Sequence, residues 1–259
     1  MTSLDFFGLK ISSFTKEELI ASLQEFDKEN NSKIYYGYSL AVLSYLNKFP
    51  EYLPITSKFD VMVTDGRLFY LLAKFFGTKL NYDISIPRLT LLALDIANKM
   101  SYNTLLVGAT KESNNKAQIN IKKSYPDIHS INGIDGYFNF EERNKIYSKI
   151  IEARPNLLLI GLPTPQKQIF ASEIKEKLNG CIIIPCGGMI DVLAGKEKLT
   201  PLWIKKLGLA SIYRHIQHPK RLPELFRIYF LTLKVFVVCS YLKFIKKVSD
   251  ISIPNIILK

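Results

Sequence analysis

Six short runs of apolar and β-branched residues, at 33–36, 60–64, 103–107, 128–131, 156–160 and 181–185, alternate with longer amphipathic segments at 68–76, 88–100, 112–124, 141–153 and 165–178. Runs of four or five such residues suit buried strands, and the longer segments carry apolar residues at helical spacing. Strands separated by helix-length stretches are joined by crossovers, so an α/β fold is expected, its sheet mainly parallel with helices on both faces. Ligands of such sheets bind in the crevice beyond the carboxyl ends of the strands. A further helix start is written at Thr15-Lys16-Glu17-Glu18, a capping box. Phe14 and Leu19 are placed there as a hydrophobic staple, with Leu19, Ile20, Leu23 and Phe26 on one stripe.

The 259 residues are 47% hydrophobic, enough for one main domain of about 200 residues plus an appendage. We place the boundary at 195, with residues 1–195 as the catalytic domain and residues 196–259 as a basic, apolar appendage. Cys181, Cys186 and Cys239 are odd in number and unpatterned, which argues against a disulfide framework or a zinc site and fits a reducing cytoplasm. Residues 1–10 contain no basic stretch followed by an apolar one, so no secretory signal is expected. Of the net charge of +12, +10 lies between Gly195 and Lys247, where twelve Lys and Arg face only Glu197 and Glu224. A block of this kind indicates an anionic partner: phosphorylated substrates, an anionic membrane surface or a nucleic acid. A solvated basic face is the plain alternative. Nucleic acid is disfavoured, because the basic residues are interleaved with apolar ones.

The residues just past each strand are the candidates for ligand contact. They are Asp65 and Gly66, Gly108 to Lys111 with Thr110 among them, Asp135 to Phe138 including Tyr137, Gly161 to Pro165, and Gly187 with Gly188. Glycine beside a polar group at a helix start can offer backbone N–H groups to phosphate, although a tight turn uses the same residues. Neither G-x-G-x-x-G nor G-x-x-x-x-G-K-[ST] occurs, which disfavours a dinucleotide or P-loop site. Asp65 ends an apolar strand and should project into the crevice. Position alone fits a general base toward a hydroxyl and a helix N-cap equally well.

From Leu225 to Ile245 the chain is apolar and aromatic but interrupted by Arg227, Lys234 and Lys243, and its longest uncharged run, Val235 to Leu242, falls far short of the roughly 20 residues that cross a bilayer. The expectation is therefore an amphipathic helix lying in the membrane interface, not a spanning one. Phe226, Tyr229, Phe230, Leu233, Phe236 and Val237 would form its apolar surface, and Arg227 and Lys234 would sit near the headgroups. A core or oligomer-interface helix is the competing reading, and self-association is left open.

Taken in order, several stretches resemble the WecG/TagA/CpsF glycosyltransferase family over roughly residues 6–229. They are Phe7 to Thr15; Thr64-Asp65-Gly66; Leu106-Val107-Gly108; Tyr125-Pro126 leading into Gly136-Tyr137-Phe138; Ile160-Gly161-Leu162-Pro163-Thr164-Pro165; Gly187 to Gly195; Pro201-Leu202-Trp203; Leu207-Gly208-Leu209; Tyr213-Arg214; and Gln217 to Arg221. The resemblance implies a Rossmann-like domain and an inverting transfer from a UDP-sugar, an N-acetylmannosamine type, its uronic acid or another hexose, to a polyprenyl-diphosphate-linked acceptor. It also implies a basic appendage that meets the cytoplasmic face of the bacterial inner membrane as a peripheral protein and helps complete the site. Asp65 matches the family's proposed catalytic base, and Arg214 and Arg221 match arginines thought to hold the diphosphate. The substrate contacts it implies are Gly37, Ser39, Arg88, Gly108, Thr110, Asp135, Tyr137, Phe138, Gly161, Pro165, Lys167, Gly187, Gly188, Asp191, Arg214, Gln217 and Arg221. No cofactor is expected, and no metal, consistent with the lack of an Asp-x-Asp triplet. Gly37-Tyr38-Ser39 stands where members carry Thr-x-Asn, Leu91 and Ala93 replace a Gly and an Asp, Asp135 replaces a His, and Lys167-Gln168 stands for Gln-Glu. Sugar contacts are expected to differ there. A member serving as a membrane-bound scaffold without turnover is the alternative function.

Overall fold

The structure is a computed structural model that describes residues 1–25, 31–49, 51–217 and 222–258, apart from the side chains of 214, 215, 217 and 258. It opens with an antiparallel hairpin that the alternating pattern did not announce, β1 (Thr2–Phe6) and β2 (Leu9–Ser13). Phe7 and Gly8 turn it with positive φ, and the Asp5 carboxylate accepts from Gly8 N–H. Helix α1 (Lys16–Gln24) follows with both halves of the expected capping box formed and with Phe14 and Leu19 buried. Phe26 of the expected stripe lies outside the described residues.

All six expected strands form. β3 (Lys33–Tyr38) is followed by α2 (Ala41–Lys48) and α3 (Tyr52–Thr56), then β4 (Val61–Thr64), α4 (Arg67–Phe75) and α5 (Ile86–Lys99). β5 (Asn103–Gly108), α6 (Lys111–Ser124), β6 (Ser130–Ile134), α7 (Arg143–Ala153), β7 (Leu157–Gly161), α8 (Gln166–Lys175), β8 (Ile182–Pro185) and α9 (Met189–Leu193) complete the alternation. Among the described residues the strands make one six-stranded sheet in the order β4-β3-β8-β7-β5-β6, every pair parallel. Its central strands are buried on both sides, which is why they read as continuous Leu/Ile/Val runs. Alternate residues feed two cores. Tyr35, Val63, Leu159 and Ile184 pack with α1, α5, α6 and α9, while Tyr36, Tyr38, Met62, Leu158 and Ile160 pack with α2, α3, α4, α7 and α8.

On the second of these faces α7 and α8 are tied by a charged clamp. Arg143 donates from Nε and Nη2 to the two carboxylate oxygens of Glu173, both at 2.8 Å, and Tyr147 Oη donates to Oε2 at 2.9 Å. The Arg143 hydrogen bonds hold the Glu173 carboxyl below the ordinary glutamate range. A carboxyl depressed on folding contributes stability above its unfolded pKa, and that contribution is lost as pH falls through the folded value. Glu173→Gln is therefore expected to lower the melting temperature at pH 7, and the gap from wild type should narrow as pH falls below the ordinary glutamate value. Melts from pH 7 downward check the sign.

The C-terminal part holds α10 (Leu202–Lys206), α11 (Ala210–Gln217), α12 (Leu222–Ser240) and α13 (Ile253–Leu258). Helix α12 runs on through a five-residue π turn, Tyr241–Ile245. This corrects the expectation drawn from uncharged run length. The continuous helix has 24 residues, about 36 Å at 1.5 Å per residue, and is long and apolar enough to cross a membrane by length and composition. Isolated Arg and Lys do not interrupt a helix, and their stems add apolar length. Leu225, Ile228, Val235 and Cys239 nevertheless bury one side of α12 in the domain, where it packs against α2 and α13. Lys243 Nζ hydrogen-bonds the Phe76 carbonyl. The opposite side exposes Phe226, Phe230, Leu233, Val237, Tyr241 and Phe244, three or four residues apart. Tyr229 and Phe236, expected on that surface, are half-buried instead.

Candidate active site

Strand β4 delivers Asp65 to the carboxyl edge of the sheet, where its N–H donates to the Tyr38 carbonyl at 2.7 Å. Gly66, with φ of 111°, turns the chain at once into α4, a conformation that other residues adopt only with strain. Ser85 begins α5, and the first helical N–H, that of Ile86, donates to Asp65 Oδ1 at 3.0 Å. One carboxylate oxygen is thus fixed at a helix N-terminus, and Oδ2 has no hydrogen-bond partner among the described residues. The capping and general-base readings of Asp65 are compatible, since each uses a different oxygen.

Two lobes open on either side of Asp65 and Gly66. The larger, about 740 Å³, is walled by Arg67, Asp83, Ser85, Arg88, Cys186, Gly188 and, from the appendage, Lys198, Lys205 and Lys206. The smaller, about 280 Å³, runs past Gly37, Ser39, Lys167 and Gly187 toward Glu224 and Ile228 of α12. Arg67 pairs with Asp83 at 3.1 Å, and Lys205 Nζ donates to Ser85 Oγ at 2.6 Å, so α10 is docked on the turn that starts α5. Burial pushes the Cys186 thiol up to about 12, which keeps it protonated and removes it as a nucleophile at neutral pH. Below the smaller lobe a buried chain of hydroxyls and amides fixes the floor. Gln168 Nε2 donates to Tyr36 Oη at 2.7 Å, and Tyr36 Oη lies 3.0 Å from Tyr52 Oη.

The cleft therefore gathers Asp65, Gly37, Ser39, Arg88, Lys167, Gly187 and Gly188 from the sequence-derived set. Asp191, on α9 between the lobe-lining Met189 and Val192, lines neither lobe, and its backbone carbonyl accepts from the N–H groups of Lys196 and Glu197. The other candidates past β5, β6 and β7 line neither lobe. Thr110 caps α6 by accepting from Ser113 N–H, and Asp135 accepts from Tyr137 N–H in a local turn. Tyr137 is exposed, while Phe138 packs toward Phe170. Pro165 starts α8, and Gly108 has φ of 137° where a side chain would meet the Gly161 backbone at 2.6 Å. Leu91 packs half-buried and Ala93 fully buried against the sheet. Arg214 and Gln217 lie in α11 with side chains outside the described set, and Arg221 lies outside the described residues altogether. Arg67, Asp83, Lys198, Lys205 and Lys206 were not singled out from the sequence as site residues. The lysines carried a signal in the basic block, and Arg67 in its place directly after Asp65-Gly66.

These features define an α/β protein whose ligand cleft crosses the carboxyl ends of β3, β4 and β8 under a basic C-terminal arm. The sequence model of the glycosyl transferase WecG/TagA/CpsF family matches residues 4–249, and the chain belongs to that family. It is 31% identical over 180 residues to a UDP-Gal:alpha-D-GlcNAc-diphosphoundecaprenol beta-1,4-galactosyltransferase of Shigella boydii, covering 66% of this chain and 74% of that one. It is 26% identical over 171 residues to an N-acetylglucosaminyldiphosphoundecaprenol N-acetyl-beta-D-mannosaminyltransferase of Bacillus subtilis, covering 66% of each chain. With the Staphylococcus aureus (strain MW2) protein of the same name it shares 22% over 224 residues, 86% of this chain and 87% of that one.

Proposed function

We propose that the protein transfers one sugar from a UDP-sugar to N-acetylglucosaminyl-diphosphoundecaprenol, with inversion, at the cytoplasmic face of the bacterial inner membrane during cell-surface polysaccharide synthesis. The observation that carries this reading is the half-anchored Asp65 carboxylate in a cleft whose far wall is cationic. Oδ2 takes the proton of the acceptor hydroxyl as that oxygen bonds the anomeric carbon. The bond from that carbon to the diphosphate breaks on the opposite side, and UDP carries away the electron pair. Charge developing on the diphosphate is met by Lys198, Lys205, Lys206 and Arg88, with Arg214 and Arg221 added by the family pattern, so side chains take the part of a metal. The relatives differ in donor and agree on an acceptor built from N-acetylglucosamine on diphosphoundecaprenol, which makes the acceptor the firmer half of the assignment.

The exposed stripe of α12, with Leu202, Trp203, Leu207 and Ile216 nearby in the chain and equally exposed, supports a membrane-facing side. On this reading α12 lies in the interface with its buried side on the domain. The test is turnover of a panel of UDP-sugars on a lipid-linked N-acetylglucosamine acceptor, with and without EDTA. UDP-galactose or UDP-N-acetylmannosamine is expected to release UDP at a rate EDTA does not change. No turnover across the panel, with vesicle binding intact, replaces the enzyme by a scaffold.

A further inference from the structure

Gly37 and Val63 are paired across β3 and β4, which places residues 37, 63 and 65 on the same face of the sheet, under α5. A Cβ added at Gly37 would meet Asp65 Cβ at 2.8 Å, Ile86 Cγ1 at 3.0 Å and Val63 Cγ2 at 3.1 Å. Two of these are fixed points of the candidate site: Asp65 itself and the residue whose N–H holds Oδ1. The closest atom is a Cβ, which moves only with its backbone. Gly37 does not occupy the left-handed region, so alanine suits its backbone and conflicts only with its neighbours.

We propose that in this chain, which has glycine where the family pattern has threonine, Gly37 is a positioning residue for Asp65: the β4 terminus and the start of α5 have closed into the space a side chain would fill, and that closure sets where Oδ2 stands against the acceptor hydroxyl. The assignment rests on Asp65 being the base, and it recasts Gly37, expected from the sequence as a substrate contact, as acting through Asp65. A residue touching sugar would alter binding. One that aims the base alters the chemical step.

Steady-state kinetics of Gly37→Ala with the donor found active separates these roles. The expected result is a kcat lowered about a hundredfold, the usual cost of misplacing a reacting group by about 1 Å, with donor and acceptor KM within about twofold of wild type. In an Asp65→Asn background the same substitution is expected to lower kcat no further, since two residues acting as one unit are not additive. Wild-type kcat in Gly37→Ala, a selective rise in KM, or an equal loss in both backgrounds overturns the proposal. Asp65→Asn at the wild-type rate sinks the base reading instead, so the two failures are distinguishable. If Gly37→Ala does not fold, the triple variant Gly37→Ala/Asp65→Gly/Ile86→Ala, which removes the two nearest atoms, decides: recovery of a cooperative melt supports closure onto them, and continued failure to fold overturns it.

Discussion

Asp65→Asn is expected to reduce sugar transfer by about a hundred- to ten-thousand-fold while leaving the melting temperature and donor binding close to wild type. Asparagine keeps the shape of the side chain, and its amide oxygen can still accept from Ile86 N–H, so the anchoring of α5 survives. What disappears is the group that takes up a proton. Cys186 cannot substitute, because burial keeps its thiol protonated. Asp83 is held in an ion pair with Arg67 at 3.1 Å, so its carboxylate is already engaged. The measurement is UDP release with acceptor present, read beside a thermal melt. Turnover at the wild-type rate shows that Asp65 only caps α5. A large fall in melting temperature shows that its structural role exceeds its chemical one.

The second large effect is on the membrane. Phe226 and Phe230 are 73% and 70% exposed, so replacing both by serine removes little folded-state packing. Each phenyl buried in an apolar phase contributes about 1.5 to 3 kcal/mol. Losing both should weaken partitioning onto vesicles by about 3 kcal/mol, roughly a hundredfold at 1.4 kcal/mol per decade. Changing Arg227 and Lys234 to glutamine should instead reduce the preference for anionic lipid, by about 1 kcal/mol per charge. Vesicle sedimentation of the full chain measures both. Unchanged binding of the phenylalanine variant rules out the stripe as the contact. Retention of wild type in vesicles after alkaline carbonate washing shows a helix that spans rather than lies flat.

Much of the fold was legible because its signals are local. The six strands and helices α4 to α8 follow from runs and periods a few residues long, and the Thr15 to Glu18 capping box formed as written, whereas α2 and α3 between β3 and β4 were not read. The β1–β2 hairpin was not legible: its two strands are short, their turn is Phe7-Gly8, and they lie outside the alternating pattern. Uncharged run length was a poor measure of whether α12 could span, because a helix passes through isolated charges with its backbone bonds intact. At the site, strand-end residues such as Asp65, Gly187 and Gly188 were found because a parallel sheet points its strand ends toward the ligand. Lys167, inside α8, was reached only through the family resemblance. By the strand-end rule Thr110 and Asp135 were candidates too, yet each satisfies a neighbouring backbone N–H, a use that leaves the same residue types in the same places.

The sequence by itself determined the α/β class, the parallel sheet, the position of a carboxylate at a strand end and the concentration of positive charge and aromatic surface in the last third of the chain. Each of these is fixed by neighbours within about one helical turn or one strand, or by simple counting. Only the tertiary structure decided that Lys205 meets Ser85 from 120 residues away, that α12 buries Ile228 and Val235 and exposes Phe226 and Phe230, and that Gly37 leaves the room Asp65 occupies. Those contacts depend on strand register and on the crossing of every intervening helix, quantities that sum over the whole chain and that no local pattern contains.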